Sequence, residues 1–349
     1  MRFLHCADLH IGRSRDFPKY LERQAAMLDG IFDVAQKQTD GLVVIAGDIY
    51  DAPVLRPREK DLFIDKLSHA DKDGITTVII NGNHDIIDQM DGGYTHLRTI
   101  KDLIASKRLK NTIFIEFNPE ALYLEKFKLG FIGVPALYRK SQEVNDTVYA
   151  FTQSLREQYG NIPVVACVHE AIAGAMDETG FSFPKGLRLD GTIPVTYWAL
   201  GDIHGCQKIP GVPNAWYSGC PIQHDFKDSG RRGVLVVDTD VPHEPTFVPL
   251  YHKVQKLVTV VFGKDQDNSE VEIPLDSIVR VEATKKQLSE IYLPPNVVRT
   301  KVVNNIEQPA PIKPVGLDDL FDGLVEILAD MGTDQEGQEF CLDLTRKLQ

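Results

Sequence analysis

Short β-branched runs alternate with polar segments of helical period through the first half of the chain. Phe3-Leu4-His5-Cys6-Ala7 reads as a strand and is followed by a polar turn. From about Tyr20 to Gln38 the apolar positions Leu21, Ala25, Leu28, Ile31, Phe32 and Ala35 fall at helical spacing. Leu42-Val43-Val44-Ile45-Ala46 predicts a buried strand, Arg58 to Ala70 a helix, and Thr76 to Ile80 a further strand. Phe127 to Val134, Val164 to Val168, Tyr197 to Leu200 and Gly233 to Val237 continue the series. Strands interleaved with helices are the signature of an α/β domain.

The character of the chain changes near Pro249. Leu257–Phe262, Ile278–Ala283, Lys285–Ile291 and Val297–Val303 read as strand, strand, helix and strand, a set too small to share the main core. Pro309-Ala310-Pro311-Ile312-Lys313-Pro314 predicts a stiff, extended linker. Beyond it, Leu317 to Met331 is amphipathic, with Leu320, Phe321, Leu324, Ile327 and Leu328 on one stripe, and a second helix is expected over Asp334 to Leu348. The predicted division is therefore a main domain over 1–250, a small α+β module over 251–308 and a linker with a helical tail over 309–349.

Composition narrows the function. Apolar residues make up 43% of the chain, yet no run of about 18 of them occurs, which argues against a membrane-spanning helix. Met1 leads straight into a strand with no signal-peptide pattern, so a cytoplasmic location is expected. The five cysteines form no C-x-x-C pair, which argues for reduced thiols over a disulfide framework or a zinc ribbon. The net charge of −12 means that any grip on nucleic acid must come from a local basic patch or a partner.

The chemistry lies in five clusters, each at a strand end: Asp8-Leu9-His10, Gly47-Asp48-Ile49-Tyr50-Asp51, Gly82-Asn83-His84-Asp85, His169-Glu170 and Gly201-Asp202-Ile203-His204. Ligands of α/β sheets sit outside the carboxyl ends of strands. Carboxylates, an amide oxygen and imidazoles make a mixed N/O donor set suited to manganese, iron or zinc, whereas magnesium prefers oxygen. Alternate side chains share a face, so Asp8 and His10 can chelate one ion. Gly47 and Gly82 let the backbone turn tightly beside it. Any one such cluster is commonplace surface polarity; five in this order are not. Of the other histidines, His5 reads as a packed core residue, His69, His96, His243 and His252 as solvated, and His224 as a neighbour of the site.

The order D-x-H, G-D-x-x-D, G-N-H-D, H and G-x-x-H resembles the calcineurin-like metallophosphoesterase superfamily. Within it, MRFLHCADLHIG, AGDIYD, GNHD and the later Tyr217-Ser218-Gly219-Cys220-Pro221 are similar to the SbcD-like nuclease subunits, to which the meiotic-recombination nucleases also belong. The modest length suits the small members that phage genomes carry. The resemblance implies a four-layer β-sandwich flanked by helices, a capping domain, and a helical tail that docks on an SbcC-like SMC-family ATPase. It implies two divalent ions, manganese ahead of magnesium, with Asp8, His10 and His204 on the first, Asp48 bridging, and Asn83 and His169 on the second. His84 would be the catalytic histidine with Asp85 behind it, and a homodimer would form through segments such as Tyr94 to Leu109. The implied activity is metal-dependent exo- and endonucleolytic processing of DNA ends in recombination, repair or replication. Arg13 and Arg15, just past His10, are the candidate phosphate-backbone contacts. One departure stands out: the family reads G-H-x-H where this chain has Gly201-Asp202-Ile203-His204, making Asp202 the expected second-metal ligand in place of an imidazole. Two other readings remain open, a phosphodiesterase or pyrophosphohydrolase for small nucleotide-like substrates and a weakly active structural subunit.

Overall fold

The computed structural model describes residues 1–303, apart from 52–53, 89–92, 137–139, 178, 229, 251–253 and 264–270. The predicted linker and tail helices over 309–349 lie outside the described residues. In chain order the elements are β1 (Arg2–Cys6), α1 (Tyr20–Gln38), β2 (Leu42–Ile45), α2 (Pro57–Lys72), β3 (Thr76–Ile80), β4 (Ile86–Asp88), β5 (Tyr94–Thr95), α3 (Arg98–Ala105) and β6 (Thr112–Ile115). There follow β7 (Glu120–Leu124), β8 (Leu129–Val134), α4 (Ser141–Tyr159), β9 (Val164–His169), β10 (Tyr197–Gly201), β11 (Gln207–Lys208), β12 (Ala215–Tyr217), β13 (Gly233–Asp238) and β14 (Thr246–Pro249). The last are β15 (Leu257–Val261), β16 (Ile278–Ala283), α5 (Lys285–Glu290) and β17 (Val297–Val302).

Two six-stranded sheets dominate, ordered β14-β13-β1-β2-β3-β6 and β11-β12-β10-β9-β8-β7. Each has four parallel strands with antiparallel strands at its margins: β1, β2, β3 and β6 run parallel in the first, and β8, β9, β10 and β12 in the second. Because side chains alternate across a strand, both faces of these strands must be covered. Phe3, Val44, Val78 and Leu235 from one sheet meet Phe131, Val165 and Tyr197 from the other in a shared core. The opposite faces carry helices. Leu4, Val43 and Ile79 pack under Leu28 and Ile31 of α1 and Phe63 and Leu67 of α2. Ile132, Ala166 and Trp198 pack under Val144, Val148 and Leu155 of α4. Helices, sheet, sheet and helix thus form four layers.

His5 stands between the sheets with no exposed surface, as the core reading expects. Its Nδ1 accepts from the Tyr197 hydroxyl at 3.1 Å and its Nε2 donates to the Leu200 carbonyl at 3.2 Å. Burial pushes its pKa down to about 3, against a smaller upward pull from the Leu200 carbonyl. His96 differs from expectation: it is only 7% exposed, with its ring facing Tyr50 at 6.3 Å. The turn after β5 folds it back onto the helical layer, which local sequence does not reveal.

The chain resolves into two compact units. One comprises Met1–Thr259, Ile273–Arg280 and Pro294–Arg299, and the other takes Val260–Glu272, Val281–Leu293 and the chain from Thr300. β15, β16 and β17 form a separate three-stranded sheet. In the second unit, Thr284 caps α5 by accepting from Gln287 N at 3.3 Å, while Gln287 Oε1 accepts from Thr284 N at 3.0 Å. Among the described residues, no helix is long and apolar enough to cross a membrane.

Candidate metal centre

The parallel strands of both sheets deliver their carboxyl ends to one place. Asp8 and His10 follow β1, Asp48 follows β2, Asn83 to Asp85 follow β3, His169 ends β9, and Asp202 and His204 follow β10. Four of these residues leave their strands in conformations L side chains rarely adopt: φ is 56° at Asp8, 45° at His10, 54° at Asp48 and 99° at Asp202. Such strain concentrates where structure is held for function. The approach is close enough to exclude side chains at the flanking glycines. A Cβ on Gly47 would lie 2.4 Å from His169 Nδ1, and one on Gly82 would lie 2.0 Å from Asp48 Oδ1.

All seven expected ligands come together. His10 Nε2 lies 3.0 Å from His204 Nε2 and 3.7 Å from Asp48 Oδ2. On the other side of Asp48, His169 Nε2 lies 3.4 Å from Asp48 Oδ1, 2.9 Å from Asn83 Oδ1 and 3.9 Å from Asp202 Oδ1. Asp202 N donates to Asp8 Oδ1 at 3.1 Å, while Asp8 Oδ2 is buried without a hydrogen-bond partner. Asp48 therefore stands between two donor groups, as a bridging carboxylate must. Asp48 belongs to two sets whose ligand atoms lie within 4.8 Å of one another, one with Asp8 and His169 and one with His10 and His84, and a further such set holds His10, His204 and Cys220.

The orientation of the imidazoles fits cations. His169 Nδ1 lies 2.6 Å from the Ala46 carbonyl, which can only accept, so that nitrogen carries the proton and Nε2 faces the oxygens. Burial pushes the His169 pKa down, but Asp48, Asp8 and Asp202 outweigh it and raise it well above its ordinary value. Oxygen lone pairs facing Nε2 demand either a proton or a metal ion there. Burial raises the carboxyl pKa of Asp8, with Asp48 and Asp202 adding to it and His169 opposing it. Burial with the neighbouring His10 holds His204 down at about 3, leaving its imidazole neutral and ready to ligate.

His84 is exposed at the mouth of this cluster. Its backbone N–H donates to Asp48 Oδ1 at 2.9 Å, and its ring Nδ1 donates to the Asp51 carbonyl at 3.1 Å, leaving Nε2 free for other contacts. Asp85, expected behind His84, instead accepts from the backbone N–H groups of Ile49, Tyr50 and Gly82 at 3.2, 3.0 and 3.0 Å. It ties the β3 loop to the β2 loop. Burial and the charge of Asp48 push its pKa up to about 7, against those three donors. Asp51 lies beside both imidazoles: its carbonyl accepts from His84 Nδ1 at 3.1 Å and its Oδ1 lies 3.2 Å from His10 Nδ1. The second aspartate of G-D-x-x-D was a sequence signal for it.

The two arginines separate. Arg13 stays at the rim, a third exposed, with Nη1 3.6 Å from Asp51 Oδ1. Arg15 turns away and grips the buried Glu59 through Nε and Nη2, each at 2.6 Å, with Tyr20 on the same carboxylate at 3.1 Å. Beside Asp202 opens a cavity of about 630 Å³ whose lining includes Glu170, Phe181, Phe183 and Lys185. No sequence signal pointed to those aromatics.

This fold and this donor set define a metallophosphoesterase: the chain belongs to the calcineurin-like phosphoesterase family, whose model matches residues 1–189. Among known proteins it is similar to a component of the nuclease SbcCD, its SbcD chain, from Bacillus subtilis (strain 168), 26% identical over 71% of this chain and 68% of that one. It is also similar to the corresponding SbcCD component from Escherichia coli (strain K12), 21% identical over 66% of this chain and 63% of that one. A third relative is the DNA double-strand break repair protein Mre11 of Methanopyrus kandleri, 26% identical over 69% of this chain and 54% of that one. The chain thus spans about two thirds of the first two relatives and about half of the third.

Proposed function

We propose that the chain is the metal-dependent nuclease subunit of an SbcCD-type complex, hydrolysing phosphodiester bonds at DNA ends in the cytoplasm. The observation that carries this reading is the convergence of six N/O donor residues on both sides of Asp48, with His84 at the open mouth. Relatives named as SbcCD and Mre11 proteins supply the substrate class.

In this reading Asp8, His10 and His204 would hold one divalent ion, Asn83, His169 and Asp202 would hold the other, and Asp48 would serve both. The ions, manganese by donor chemistry, would supply Lewis acidity and activate water for attack on phosphorus. Asp51 orients His10 and His84, and Asp85 keeps the β2 and β3 loops in register. With Nδ1–H committed to the Asp51 carbonyl, His84 in its protonated form donates from Nε2 to the leaving oxygen. Arg13 neutralises a backbone phosphate at the rim, and the cavity beside Asp202 takes the adjoining nucleotide.

The net charge of −12 calls for help with DNA. We assign that help to an SbcC-like ATPase docked on the tail over 309–349, with the module over 251–308 as the cap and a second copy meeting the Tyr94 to Leu109 segment. Tyr94 is 56% exposed there, a side chain that a dimer would cover.

Linear double-stranded DNA incubated with manganese, magnesium or chelator, using wild type and His84→Ala, tests the assignment. Manganese-dependent cleavage reduced about 10²–10⁴-fold in the variant is expected. Inactivity that persists after adding the ATPase, alongside turnover of a small phosphodiester, would overturn it.

A further inference from the structure

One group of potential ligands at the site contains a residue that the nuclease assignment leaves idle. The turn after β12, Ser218 to Pro221, lies against the loop after β10. Cys220 N donates to the His204 carbonyl at 3.0 Å, and Arg232 Nη1 donates to the same oxygen at 2.7 Å. Gly219 permits this approach: its φ is +72°, and a Cβ there would lie 2.5 Å from that carbonyl. The backbone bond fixes the cysteine beside the histidine. Its Sγ and one ring nitrogen each of His10 and His204 consequently lie within 4.8 Å of one another.

The surroundings are those of a ligand rather than of a packing residue. Cys220 has no exposed surface, and the two imidazole Nε2 atoms beside it face each other at 3.0 Å. Asp8 Oδ2 is buried without a partner. Four residues further along the same loop, His224 is 3% exposed with neither ring nitrogen hydrogen-bonded, and its ring stands edge-on to His10 at 5.6 Å. A cation has unpaired donors to satisfy here, and one of them is sulfur.

The geometry points to Cys220 as a thiolate ligand of the ion held by His10 and His204. This rests on the two-metal reading above and deepens it, because it makes the two positions chemically unequal. With a thiolate and two imidazoles beside Asp8 and the shared Asp48, the first position favours zinc, iron(II) or cobalt(II), whereas Asn83, Asp202 and His169 with Asp48 form a more oxygen-rich set suited to manganese. Binding releases one proton from Sγ to solvent as the sulfur–metal bond forms. The centre is accordingly a mixed one, with the softer ion on the His10–His204 side.

Loading the apoprotein with cobalt(II) gives a readout that does not depend on cleavage. Wild type is expected to bind two ions per chain and show the intense near-ultraviolet thiolate-to-cobalt charge-transfer band. Cys220→Ser should lose that band, and Cys206→Ser should keep it. Should Cys220→Ser fail to fold, X-ray absorption of zinc-loaded wild type answers the same question through a sulfur neighbour at about 2.3 Å. Two bound ions with neither the band nor a sulfur neighbour would overturn the Cys220 assignment and leave the two-metal centre standing. No stoichiometric binding by wild type would overturn both.

Discussion

His169 and Asp202 show how much of this site is decided by single atoms. With Nδ1–H fixed on the Ala46 carbonyl, His169 turns Nε2 toward Asn83, Asp48 and, at 3.9 Å, Asp202. If Asp202 completes the second ion's shell, Asp202→Ala should lower tightly bound manganese from two ions to one, counted by elemental analysis after gel filtration. Two tightly bound ions in the variant would sink that role. The arginines make a paired prediction. Arg13→Ala should weaken DNA binding and reduce the log–log salt slope by about 1 while thermal stability holds. Arg15→Ala should instead cost roughly 1–3 kcal/mol of stability, because it leaves the Glu59 carboxylate short of its charged partner. Denaturant melts of the two variants distinguish them.

His5 carries a pH prediction. Its folded-state pKa of about 3 lies below the ordinary imidazole value of 6.5, so the folded protein binds fewer protons than the unfolded chain between those values. The stability it contributes is present above pH 6.5 and is lost as pH falls, by up to about 1.4 kcal/mol per pH unit. His5→Phe should flatten the wild-type decline in urea stability between pH 7 and pH 5. An unchanged slope would mean that the imidazole is protonated between the sheets. That His5 belongs to the core was legible from its place in a strand. His96 was not legible, because the turn that buries it is set by packing onto Tyr50.

Among the elements, strands of β-branched residues announced themselves, because each is buried on both faces and reads as a continuous apolar run. α4 did not. Its buried face is a narrow stripe of Val144, Val148, Thr152 and Leu155, and a threonine interrupts it. Thr152 is accommodated because its hydroxyl donates to the Val148 carbonyl at 2.7 Å. The β3 loop depends on a missing side chain. Gly82→Ala would drive a methyl group to 2.0 Å from Asp48 Oδ1, inside any real contact distance. The variant should fold, since the loop lies at the edge of the core, yet bind metal much more weakly. Isothermal titration with manganese checks this, and wild-type affinity would show that the loops can separate without losing the site.

In the proposed reading, the whole molecule reconciles a net charge of −12 with a role on DNA by sharing the work with a partner. Removal of residues 316–349 should abolish co-purification with an SbcC-like ATPase while leaving manganese stoichiometry unchanged. Undiminished co-purification would refute the tail's assignment. Wild type and truncation should also differ in DNA affinity only when the ATPase is present.

Residue order alone set the alternation of strands and helices, the candidate donors and their position at strand ends. Periodicity and residue chemistry are local properties, so they survive without coordinates. Which donors face one another was settled by the assembled sheets. Asp51 rather than Asp85 holds His84, Arg15 is spent on Glu59 while Arg13 stays at the rim, and Cys220 joins His10 and His204 from a distant loop. Asp51 meets His84 because β2 and β3 are neighbours in one sheet, whereas Cys220 and His204 reach His10 because the two sheets meet face to face and bring the ends of β10 and β12 to the end of β1.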